Sequence, residues 1–140
     1  MLLLLSILSL LPFAPPRPVP PQKASLRVEV QNVRVLTGSV HLALFRSGKD
    51  FPKGKPVETK KLTAGSKSVQ IQFAVEPGDY AIAVYHDENG NGKMDKQIFG
   101  IPKEPYGFSN DIKPVMSAPK FSECQFTVSK DGKAISIKLI

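Results

Sequence analysis

One stretch of the chain carries side chains whose type and spacing suit metal chemistry. In Asp87-Glu-Asn-Gly-Asn-Gly-Lys-Met-Asp95, oxygen-bearing side chains recur at Asp87, Asn89, Asn91 and Asp95, with Gly90 and Gly92 between them. Alternate residues of a tightly curled loop point to one side. These four side chains and the Lys93 carbonyl therefore offer most of the roughly six to eight oxygens that Ca²⁺ takes. The two glycines permit the curl. The spacing follows the first half of an EF-hand loop, but the twelfth position is Ile98 instead of a bidentate glutamate, and no helix is predicted on either side. That excludes an EF-hand. With Asp87 and Asp95 as the two carboxylate ligands and Glu88 facing outward, the affinity expected is weak, with Kd on the order of 10⁻⁴–10⁻³ M. A plain polar turn is the competing reading, because Asn and Gly collect in turns for backbone reasons alone. Four ligand-type residues in register favour a structural calcium site held by Asp87, Asn89, Asn91, Lys93 and Asp95.

Other chemistry finds little support. His86 adjoins the loop and His41 is the only other histidine, too few ligands for a zinc or copper centre. A hydrolase using the acidic loop with His86 as base would need an activated nucleophile, and no G-x-S-x-G pattern occurs. Cys124 is the single cysteine, so no intramolecular disulfide can form, and its strand-like setting, Phe121-Ser-Glu-Cys-Gln-Phe126, suits a buried thiol better than a nucleophile. The chain is expected not to be an enzyme. Its net charge of +7 comes from scattered lysines; the densest group, residues 49–61, is broken by Asp50, Pro52, Gly54, Pro56 and Glu58. No helix-turn-helix, zinc-finger or base-stacking signature is present, so no nucleic-acid partner is expected.

The elements that must position the loop are strands. Leu26, Val28 and Val30 alternate with Arg27, Glu29 and Gln31, the period-two pattern of a strand with one wet face. After Gly38, a second strand over 40–45 is apolar on both faces, as a central strand would be. Residues 57–62 read as a short edge strand. A further strand around Val69, Ile71 and Phe73 leads into Glu76-Pro-Gly-Asp79, which reads as a hairpin turn. Its second arm, 80–86, is again apolar on both sides. Strands over 121–128 and 134–139, joined by a turn at Lys130-Asp-Gly132, complete the pattern. About seven short strands without an amphipathic helix predict an all-β fold, a single β-sandwich of immunoglobulin-like or transthyretin-like form. With 140 residues and 41% hydrophobic content, one domain over 24–140 is expected.

Ahead of that domain, residues 2–14 form an apolar run too short to cross a bilayer and suited to a signal-peptide core. Residues 15–21, Pro-Pro-Arg-Pro-Val-Pro-Pro, read as a polyproline-like spacer. Residues 1–23 are thus a signal peptide and spacer, and the protein is expected in the periplasm or outside the cell, with no integral membrane segment after signal removal.

Residues 99–119 read as a long irregular connection with four prolines and the aromatics Phe99, Tyr106 and Phe108. Either the aromatics pin this connection across one end of the sandwich, or Tyr106, Phe108, Ser109 and Asn110 line a recognition surface. The 87–95 loop resembles those found between strands in calcium-bound β-modules of bacterial surface adhesins. The fuller string is more specific. Tyr80-Ala-Ile-Ala-Val-Tyr-His-Asp-Glu-Asn-Gly-Asn-Gly-Lys-Met-Asp95, then Phe99-Gly-Ile-Pro-Lys-Glu and Tyr106-Gly-Phe-Ser-Asn110, resembles the bacterial family called domain of unknown function 2141. The likeness runs from about Leu26 to the C-terminus and implies an exported domain without assigned activity. Two roles follow as expectations: a calcium-stabilised, non-enzymatic module of the cell envelope, or a module binding envelope carbohydrate, peptide or protein through Tyr106 and Phe108.

Overall fold

A computed structural model describes residues 13–46, 48 and 50–140. Most of the apolar run assigned to a signal peptide, residues 2–12, lies outside the described residues. From Phe13 to Lys23 the chain is exposed and belongs to no element. Among the described residues no helix is long and apolar enough to cross a membrane.

Eight strands among the described residues make two sheets. They are β1 (Ala24–Gln31), β2 (Ser39–Phe45), β3 (Glu58–Thr63), β4 (Ser68–Val75), β5 (Gly78–Asp87), β6 (Tyr106–Phe108), β7 (Phe126–Val128) and β8 (Lys133–Lys138). The smaller sheet has the order β4-β1-β8, and the larger runs β3-β2-β5-β6, with β7 paired to the start of β5. The expected β-sandwich is therefore present. Leu26, Val28 and Val30 of β1 and Phe73 of β4 face Val40, Leu42, Leu44, Ile82 and Val84 across the middle layer, all nearly without solvent contact. Each such side chain contributes about 1.5–3 kcal/mol, an upper bound because the unfolded chain already hides some apolar surface. Both cores and every strand come from residues 24–140.

The two-faced apolar strands take the central places, β2 between β3 and β5, and β5 between β2 and β6, while lysine-bearing β3 lies at an edge. Two expectations need correction. The turn at Glu76-Pro-Gly-Asp79 does not make a hairpin: β4 pairs with β1 and β5 with β2, so the turn carries the chain from one sheet to the other. β4 has one wet face and suits an edge, whereas β5 is apolar on both faces and needs strands on both sides. The expected Lys130-Asp-Gly132 turn is present, and it joins strands of different pairings, since β8 runs parallel to β1 and β7 pairs with β5. Lastly, 121–124 is a short helix, α1 (Phe121–Cys124), started by the Glu123 carboxylate accepting the Lys120 N–H at 2.7 Å.

Cys124 is fully buried, as expected, in a second core with Phe45, Phe51, Ala81 and Phe108 on the outer side of the larger sheet. Burial, then the neighbouring Glu123, pushes its thiol up to about 11. The stability this neutral thiol shares in is full below the unfolded thiol value of about 8.5 and is lost as pH rises toward the folded value. Ellman's reagent at pH 8 is expected to label Cys124 only as fast as the domain unfolds. Labelling of the native protein as fast as a free thiol would contradict that burial.

Gly38 explains how β2 begins. Its φ is +70°, and a Cβ there would overlap the backbone carbonyl oxygen of Asp87. Gly38→Ala should cost about 2–4 kcal/mol from combined strain and overlap. Gly65→Ala, with open space around the added carbon, should stay within about 0.5 kcal/mol of the parent in urea unfolding.

Candidate functional site

The acidic loop grows directly from the centre of the larger sheet. β5 ends at Asp87, which pairs with Ser39 of β2, so the first residue of the loop is fixed by the ladder. Its side chain has no solvent exposure. The chain then turns back on it: Asn91 N–H donates to Asp87 Oδ1 at 3.1 Å and Gly92 N–H to Oδ2 at 2.8 Å. Gly90 and Gly92 have φ of 73° and 78°, and nothing crowds either Cβ position, so backbone conformation selects glycine at both. Burial pushes the Asp87 carboxyl up, but the Gly92, Gly90 and Asn91 N–H groups and nearby His41 outweigh it and hold it below the ordinary range.

The remaining oxygen donors close on the same turn. Asn91 Nδ2 donates to both Asp95 oxygens at 3.0 and 2.9 Å, and Asn89 Nδ2 to Asp95 Oδ2 at 2.5 Å. The amide oxygens accept backbone N–H groups, Asn89 Oδ1 from Asn91 and Asn91 Oδ1 from Lys93. Asp87, Asn89, Asn91, Lys93 and Asp95 are thus brought together. Glu88 faces outward as expected, bonded to Arg34 at 2.8 and 3.3 Å.

Glu104 is the residue that sequence reasoning missed. Only 6% exposed, it accepts the Glu88 N–H through Oε1 at 3.0 Å and the Asp95 N–H through Oε2 at 3.1 Å. It clamps both ends of the loop, and Lys103 N–H adds a bond to the Asp95 carbonyl. No spacing rule links it to Asp87; its only signal is an acid amid prolines and apolar residues. Among the described residues neither Asp87, Asp95 nor Glu104 forms a salt bridge with lysine or arginine; Asp87 has only His41 Nε2, at 3.7 Å. Burial, then Lys61, lowers the His41 pKa, which keeps the ring neutral near pH 7. Carboxylates without a lysine or arginine partner, together with amide oxygens, are a hard donor set of the kind Ca²⁺ takes. Among the described residues no three His, Cys, Asp or Glu side chains gather as metal ligands. A cation here would rest on two carboxylates and amide or carbonyl oxygens.

His86 is fully buried, with Nε2–H donating to the Thr37 carbonyl at 2.7 Å and Nδ1 without a partner. The four downstream residues do not form one exposed surface. Tyr106 is half-buried; Phe108 is 8% exposed and meets Tyr106 edge-on at 73°; Ser109 is fully buried, bonded to Ile82 N–H and the Cys124 carbonyl. Asn110 is exposed, but its amide donates to the Glu123 and Gln125 carbonyls. Ser109 and Asn110 pin the 109–124 segment to the sheet, while Tyr106 and Phe108 lie in a strand, β6, where an irregular connection was expected.

The sequence profile of a family described as uncharacterized proteins conserved in bacteria (DUF2141) matches residues 28–136. The chain belongs to this family. No curated protein and no solved structure gives a match. The DUF2141 match starts within β1 and ends within β8, so it spans both sheets, the acidic loop and Glu104.

Removing the clamp tests this description without reference to any metal. Glu104→Ala strands two backbone N–H groups and should cost about 2–4 kcal/mol, with amide exchange speeding up at Glu88 and Asp95. Unchanged exchange at those two amides would show that the loop holds itself.

Proposed function

We propose that this DUF2141 domain is an exported, non-enzymatic β-sandwich module of the cell envelope whose 87–95 loop is a structural calcium site. One observation carries the reading: Asp87 and Asp95 both close on Asn91, one through its backbone and the other through its side chain. The curl that a bound cation requires is thereby organised in the protein itself. Calcium would take its oxygens from Asp87, Asn89, Asn91, Asp95 and the Lys93 carbonyl, replacing the amide contacts to Asp95. It would supply charge balance and rigidity.

Export rests on the apolar run at 2–14 and the proline-rich stretch after it. The non-enzymatic reading is supported by the setting of the residues best suited to catalysis: His86, Ser109 and Cys124 all have zero exposure.

Asp95 is the position that discriminates a metal site from a polar turn. Asp87→Ala would weaken the fold with or without metal, because that carboxylate holds backbone N–H groups. Asp95 holds only exposed amides through its side chain. For residues 24–140, calcium at about tenfold excess over Kd should stabilise by about 1.4 kcal/mol, raising the unfolding midpoint by roughly 5 °C relative to EDTA. Magnesium should do much less, and Asp95→Asn should abolish the calcium effect. An unchanged midpoint in calcium, or a full rise in Asp95→Asn, overturns the metal reading.

A further inference from the structure

The two outer faces of the sandwich differ in kind. On the smaller sheet the outward side chains are mostly polar, among them Arg27, Glu29, Gln70, Gln72 and Ser136, with only the alanines Ala74 and Ala134 between them. On the larger sheet the outward residues form four cross-strand rows, of which Thr63, Ser39 and Asp87 make the one at the acidic loop. Phe45 and Ala81 make the first, and it is sealed by Phe51, Phe108 and Cys124 of the second core. The next row runs Thr59, Ala43, Ala83, Phe108, and the third Lys61, His41, Tyr85, Tyr106. Neighbouring alanines at the sheet's centre leave a trough between the stacked His41–Tyr85 rings, 4.7 Å apart, and the second core. Here the sheet opens into a cleft of about 1070 Å³, the size of a small-molecule site.

Two loops wall this cleft. Met94, Ile101 and Pro102 come from one, and Pro114, Val115 and Met116 from the other. Ile101 is 57% exposed, while Val115 and Met116 exceed 90%. Apolar side chains held in water beside an apolar floor are a cost that a bound apolar body would remove. Among the residues that line the cleft the charge has one sign. Lys53, Lys61 and Lys96 are exposed at the rim, none is paired with a carboxylate among the described residues, and no Asp or Glu lines the cleft. Lys60 also borders it, but its ammonium is bonded to the Gln72 carbonyl.

We propose that this cleft binds a single-chain anionic amphiphile, its apolar body in the Ala43–Ala83 trough and its carboxylate or sulfonate headgroup at the lysine rim. The floor selects an apolar body by burial and the rim selects the sign of the head. Nothing in this reading requires a metal in the 87–95 loop.

The test is an NMR titration of ¹⁵N-labelled residues 24–140 in EDTA with dodecanoate, and separately with dodecyltrimethylammonium, both at monomeric concentrations. Dodecanoate should saturate one site, shift the amides of Ala43, Ala83, Tyr85 and Tyr106, and bind at least tenfold tighter than the cationic chain. Ala83→Leu fills the trough at a partly exposed position and should weaken dodecanoate at least tenfold. The double variant Lys61→Glu, Lys96→Glu should bring the anion's advantage below threefold while leaving the cationic chain no weaker. No saturable shift at those four amides overturns the proposal, as does equal or tighter binding of the cationic chain. Shifts centred on the smaller sheet's outer face, or unchanged affinity in a folded Ala83→Leu protein, do so as well.

Discussion

Asp87 stands where the larger sheet ends and the acidic loop begins, and its carboxylate is closed off from solvent. An ionised group in such a place survives only if its oxygens are satisfied. Asn91 and Gly92 do this by folding back on it, so the curl of the loop and the ionisation of Asp87 depend on one another. Much else follows from fixing this point. Gly38 must lack a side chain because the Asp87 carbonyl lies against it. Glu104 can reach the Glu88 and Asp95 N–H groups only because the loop returns to the end of the strand.

The same anchoring ties the loop to the wall of the cleft. Met94 and Lys96 follow directly from the curl, and an isolated bridge from Lys96 to Pro102 holds the far side of that wall. The floor belongs to β2 and β5, each with a neighbouring strand on both sides, while the walls belong to loops.

Alternation made β1, β2 and β4 legible in the sequence, because one-sided burial writes itself as a period of two. The doubly apolar character of β2 and β5 also indicated their central places. What alternation cannot express is which sheet a strand joins. Glu76-Pro-Gly-Asp79 has the residues of a tight turn, and those residues serve equally to pass the chain between sheets. Tyr106-Gly-Phe108 was too short to show a period, yet it forms a strand because the exposed edge of β5 offers it unpaired N–H and C=O groups. The ligand-type residues of the loop were visible because they are close in sequence. Glu104, Ser109 and Gly38 act across separations that spacing alone does not record, each meeting a need created by tertiary contact.

Ala43 and Ala83 show the limit most clearly. Each looks unremarkable in its own strand, a small residue in an apolar run. Their meaning comes from the register, which sets them side by side between larger neighbours. Had either been a valine or leucine, the outward face would have been filled by its own side chains, as Phe45 and the second core fill the neighbouring row. Two methyl groups at the centre of an otherwise well-filled sheet leave apolar surface that the described residues do not cover. The hydrophobic effect acts on that surface as it acts on the core, and with lysines around it the favoured cover carries negative charge.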